Sequence, residues 1–348
     1  MKTLLTCSMI LLVFSYGFAQ QPTIHVANNN TNAPIGDHIY KSLQEAVNAA
    51  SAGDIIHVVP SVTDYGEVTI EKKLAIYGIG FYPDKDIRLI SLVRNLYIGP
   101  NASGTQISGL VIIDHIGLAP NSSSTYSLND IVIANCEVPR IYRECCNANI
   151  LSNILIKSCV IRDYIALPND ATLSNALITN NIIFGYISAG NATLINHNIF
   201  ISTLGSGNKA FDYLSYCVVT NNIFYGRSPQ SINVSEGNQF NNNLSSGTND
   251  LPPPASGVGN IGSNNIFADP QFTKVTSTTS YIFTDDFRLK AMSPGKGKGS
   301  DGTEIGVFGG TTPFKPNGTP LPLIQVLNTS GVINKNDSLK ITVKALAN

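Results

Sequence analysis

A short phrase returns again and again through the middle of the chain. It reads Asn135-Cys136-Glu137-Val138, Ser158-Cys159-Val160-Ile161, Asn180-Asn181-Ile182-Ile183, His197-Asn198-Ile199-Phe200, Asn221-Asn222-Ile223-Phe224, Asn242-Asn243-Leu244 and Asn264-Asn265-Ile266-Phe267. Counted from Cys136, the steps are 23, 22, 17, 24, 21 and 22 residues. A recurring period of this size marks a repeat architecture. Each unit carries Ile/Val/Leu runs too short for helices, and the regular Leu framework of a leucine-rich repeat is missing. The expected fold is all-β: a parallel β-helix, a coil of short parallel strands with about 22 residues per turn. In such a coil, equivalent positions stack about 4.8 Å apart, so Ile and Val build one axial core. Asn is a poor strand residue, and its return at one register has two readings. One is an amide ladder along the axis; the other is turn chemistry, since Asn tolerates left-handed backbone.

The two ends differ from the middle. Residues 1–19 have Lys2, an apolar run from Leu4 to Phe14, and small residues Gly17 and Ala19, the pattern of a signal peptide. Export to the cell surface, the medium or a periplasm is the expectation. Ser42-Leu43-Gln44-Glu45 forms a capping box, with Leu43, Ala46, Val47 and Ala50 at helical spacing and Gly53 as a stop. A short helix there would cover the open end of the coil, as solenoids require. Residues 20–312 are read as the β-helix domain. Residues 313–348 form a tail with two expected strands, Leu323–Val326 and Ser338–Val343. No later segment has the length and apolarity of a membrane span.

Cysteine and charge narrow the reading. Five cysteines follow the leader, an odd number with no zinc spacing. Cys136 and Cys159 fall on adjacent coils, where a disulfide and two inward thiols are both open. Charged residues are only 13% of the chain and the net charge is -1, so no overall field recruits nucleic acid.

The closing third carries Phe267-Ala268-Asp269-Pro270-Gln271-Phe272, Asp286-Phe287-Arg288-Leu289, Ser293-Pro294 and Asp301-Gly302-Thr303-Glu304-Ile305-Gly306-Val307-Phe308-Gly309-Gly310. This series resembles the end of the pectate-lyase-like right-handed β-helix superfamily, and the opening Ser42–Pro60 resembles its first coil. The resemblance spans roughly Ile24 to Gly310. It implies a carbohydrate-related role, since the superfamily holds lyases, hydrolases, epimerases and non-catalytic surface proteins.

Aligning the coils gives one charged stack. Asp114, Arg140 and Asp163 are placed in one column, His115, Tyr164 and Tyr186 in the next, and Arg162 beside them. The functional reading is a groove for an acidic polysaccharide or cell-surface glycan. Arg140 and Arg162 would face its carboxylates, and His115, Tyr164 and Tyr186 would contact sugar rings. Catalysis would fall to Arg140, Asp163, Asp114 and Arg162. Calcium enters only if the protein is a lyase, with Asp114 and Asp163 as oxygen ligands; no metal site is assigned. The bland reading is an ion-pair ladder that fixes register, worth roughly 0.2–1 kcal/mol per pair. Two functions follow: a polysaccharide lyase, or a non-catalytic glycan-binding or structural rod. A monomer is expected.

Overall fold

The computed structural model describes residues 21–81, 90–120, 125–144, 149–190, 193–203, 208–247, 249–318, 323–329 and 341–346. The expected leader and Cys145-Cys146 lie outside the described residues. The chain winds into a parallel β-solenoid of about nine turns. A 12-stranded and a 14-stranded sheet run its length, and successive coils contribute neighbouring strands.

The repeat phrase explains why the chain turns where it does. Asn135, Ser158, Asn180, His197, Asn221, Asn242 and Asn264 all have φ between 52° and 59°. This is the left-handed region, which Asn reaches at low cost. The next residue turns inward. Asn181 gives both its backbone N–H and its amide to Asn198 Oδ1, at 2.9 and 3.0 Å. Asn198 does the same to Asn222, Asn222 to Asn243, and Asn243 to Asn265. The two readings of Asn are therefore both realised, at adjacent positions of one corner.

Cys159 continues this ladder, with its N–H on Asn181 Oδ1 at 2.8 Å. Cys136, Cys159 and Cys217 are buried free thiols. Burial pushes the Cys159 thiol well above its ordinary pKa and that of Cys217 up to about 12.

Beyond the corner, apolar side chains stack into columns. Ile56, Ile76, Ile107, Ile133, Ile156, Ile178, Ile195, Val219 and Phe240 follow one another in strict register. All are fully buried. The helix Leu43–Ala49, named α1, closes the N-terminal end. Ser42 Oγ accepts from Glu45 N–H at 3.1 Å, and Leu43, Ala46 and Val47 join the core. The helix stops at Ala50, ahead of Gly53, whose φ of 97° serves the next turn instead.

After the last coil the chain runs back along the outside as a strap. Asn242 Nδ2 donates to Lys298 O, and Ser300 N–H donates to Asn221 Oδ1. Further along, Asn180 Nδ2 donates to Val307 O and Gly309 O, both at 2.9 Å. The strap ends beside the second coil, where Gly80 lies against Asn317 and Gly318 and Phe314 stacks on Phe81. Its Ile305, Val307, Phe272 and Leu289 cover an outward apolar row made by Val111, Val160, Ile182, Ile199, Ile223 and Leu244. The DGTEIGVFGG series is thus packing chemistry. A Cβ on Gly309 would sit 1.9 Å from Glu304 O and 2.6 Å from the His197 ring. In the tail, Leu323–Thr329 pairs antiparallel with Ile341–Leu346.

Candidate functional site

The strap covers only one half of the 14-stranded sheet's outer face. The other half carries the side chains singled out from sequence. It is built on strands Leu92–Ile98, Val111–Leu118, Glu137–Arg143, Val160–Ala166 and Tyr186–Ala189.

The register corrects one expected column. Arg140 pairs with His115 on one side and Tyr164 on the other, and Tyr164 pairs with Tyr186. His115, Tyr164 and Tyr186 do share a column, as expected, but Arg140 belongs to it. Asp114 and Asp163 stand one place earlier. The reason is a bulge. Between its inward Val138 and outward Arg140 the middle strand has only Pro139, where the neighbour has Arg162 and Asp163 between Ile161 and Tyr164. Gly185 is needed beside this bulge, because a Cβ there would meet Asp163 O at 1.1 Å. Spacing in sequence does not reveal which strand holds the extra residue.

Five rings run across these strands. Centroids of Tyr97 and His115 are 5.3 Å apart, His115 and Tyr142 5.1 Å, Tyr142 and Tyr164 6.1 Å, and Tyr164 and Tyr186 5.3 Å. Tyr164 and Tyr186 are nearly coplanar in orientation at 16°, while the others are tilted. Offset ring pairs contribute about 0.5–1.5 kcal/mol each beyond area burial. Tyr97 and Tyr142 were not expected; Tyr142 lies two residues beyond Arg140 and Tyr97 two beyond Asn95, the strand partner of His115, on the same face of their strands. Burial, with a hydrogen bond donated to the Glu144 carboxylate, pushes the Tyr142 phenol up to about 12. Tyr97 and Tyr186 are raised first by burial as well. At neutral pH these phenols stay protonated.

The charges around the rings are largely spoken for. Arg140 Nη2 is tied to Asp114 Oδ1. Arg162 donates to Ile112 O at 2.8 Å and lies 3.8 Å from Glu137. Asp163 is exposed. His115 is buried between two carboxylates, with Nδ1 3.3 Å from Asp114 and Nε2 2.8 Å from Glu144. The Glu144 contact is close but out of hydrogen-bond alignment. Glu144 folds over Gly117, where a Cβ would meet its Cγ at 2.5 Å. Glycine is what admits it. Farther along the chain, Ser127–Asn129 joins a small three-stranded sheet.

Among the described residues no group of three or more His, Cys, Asp or Glu side chains is placed to hold a metal ion. Nor is any helix among them long and apolar enough to cross a membrane.

No protein-family model and no curated protein matches this chain. The solenoid is shown; the pectate-lyase-like superfamily is not. A cleft of about 650 Å³ on the strap, away from the rings, is lined by Tyr281, Phe283, Phe287, Arg288, Phe308 and Phe314. Arg288 there lies over Phe308 and against Asp286.

Proposed function

We propose that this is an exported β-helix protein that binds an extended glycan along the Tyr97–His115–Tyr142–Tyr164–Tyr186 row. The observation that carries the reading is the row itself. Tyr164 and Tyr186 stack, Tyr142 lies tilted beside them, and Asp163 adds an exposed acceptor next to Tyr164 on the same strand. A polyhydroxylated chain laid across the coils meets apolar ring edges and hydrogen-bonding groups at every strand spacing. Binding without turnover is favoured over catalysis, because both arginines offered as a base are engaged by neighbours.

A lyase is the second reading, supported by one cluster. His115 stands between Asp114 and Glu144, with Tyr142 beside it, so a proton acceptor and a proton donor share one face. An acidic polysaccharide would be its substrate, and calcium its helper if Asp114 and Asp163 open toward it.

The test is glycan-array binding of the wild type and of Tyr164→Ala, with ultraviolet detection of unsaturated products from pectin, alginate and glycosaminoglycans. Selective binding that Tyr164→Ala weakens about tenfold, about 1.4 kcal/mol, supports the reading. Glycan binding equal in both proteins removes the row as the site. Product formation abolished by His115→Ala would replace binding with the lyase.

A further inference from the structure

The two ends of the solenoid are finished differently. At the N-terminal end α1 lies over the first coil and buries Leu43 completely. At the other end no described residue caps the last coil. Among the described residues, strand Ile261–Ser263 pairs only with Gln239–Asn241, and strand Ile266–Phe267 only with Leu244–Ser246. All three residues of Ile261–Ser263 are exposed. Phe267 stands at the top of the inward column Ile161, Ile183, Phe200, Phe224 and Ser245, yet it is 44% exposed. Val258 and Ile261 are 56% and 63% exposed. The amide ladder stops at Asn265, and a shorter one from Asn238 stops at Asn260.

An open strand edge with core residues at its end is a template for pairing, and natural proteins blunt it with charge, proline or short strands. Here the end strands are short and follow Pro252-Pro253-Pro254, but they carry no charge. From Leu251 to Ala268 no residue is Asp, Glu, Lys or Arg. The chain itself leads away from this end: the strap delivers residue 318 to the second coil, at the opposite end of the molecule. The N-terminal end of another copy is already occupied by α1, so head-to-tail stacking has nothing to stack on.

We infer that two copies of this chain meet end to end through their last coils, Leu251 to Phe267, in a twofold dimer. Such a contact is isologous and closes after two copies. Two end strands without charged residues meet, with Glu236 against Gly257 at the side of the coil, and Phe267, Ile261 and Val258 leave water. One coil cross-section is a small interface, so the dimer forms by mass action and separates on dilution. This departs from the monomer expected from sequence.

Sedimentation velocity and small-angle scattering over a concentration series test it. The wild type gives a reversible dimer whose particle is elongated along the solenoid axis. Ile261→Lys, at an exposed position outside the core, weakens association about tenfold or more and leaves the thermal transition of the dilute monomer unchanged. Val258→Glu gives the same loss. A protein that stays monomeric at every concentration overturns the inference. So does a dimer that persists in both variants or whose scattering fits a side-by-side pair.

Discussion

At single positions, the repeat phrase divides labour between neighbours. Asn221 holds a φ of 59°, while Asn222 next to it is fully buried and holds the ladder. Asn222 Nδ2 also reaches Ile195 O and Thr220 O at 2.9 Å. Asn222→Ala removes a buried donor and acceptor at once and strands the Asn198 backbone N–H. Its expected cost is about 1–3 kcal/mol, read by urea denaturation. A variant as stable as wild type would show the ladder to be incidental. Asp54 makes a comparable contribution near the N-terminal end. Burial alone would raise its carboxyl, but hydrogen bonds from Ser51 and Thr23 N–H groups, both 2.8 Å, and from His25 hold it below the ordinary 3.8. A group depressed by folding contributes stability in full above the unfolded value, and loses it as pH falls through the folded one. Stability should therefore drop as pH falls below about 4. Asp54→Asn should be less stable at neutral pH and show a flatter acid limb; an unchanged acid limb would remove Asp54 from that account.

At the level of elements, coil and strap are coupled through left-handed corners. His197 shows the join: Nδ1 faces Gly306 O at 3.2 Å and Nε2 faces Asp301 at 3.1 Å. Gly309→Ala drives a methyl into the His197 ring and Glu304 O, so the strap must lift locally. Limited proteolysis should then cut within 270–318 faster than in wild type, while the coils keep their circular dichroism. Equal cleavage rates would mean the strap absorbs the methyl. How much of this was legible follows from the same elements. The period, the capping helix and the stacked Ile/Val columns were readable, because inward side chains of a coil repeat with its period. The Asp114–Arg140–Asp163 column was misplaced because a bulge changes residue count without changing composition. Tyr142 and Glu144 were passed over since their partners, His115 and Gly117, lie a whole coil away. The closing glycines carried a family resemblance, yet nothing in their spacing showed that they seat a strap on His197.

For the whole molecule, the rings, the charges and the open last coil sit on a frame that leaves one half of one sheet face and one end uncovered. Glycan recognition and self-association draw on separate surfaces, so loss of either by mutation leaves the other measurable. The strap has a further effect on how this frame comes apart. In a bare stack each turn touches only the turns beside it, so unravelling proceeds stepwise from whichever end is weaker. Here Asn242, Asn221, His197, Asn180 and Phe81, from coils far apart, share one returning segment. Peeling back the final turn exposes nothing that can leave alone until that seam is ripped along most of its length. A linear array is thereby made to melt like a globule.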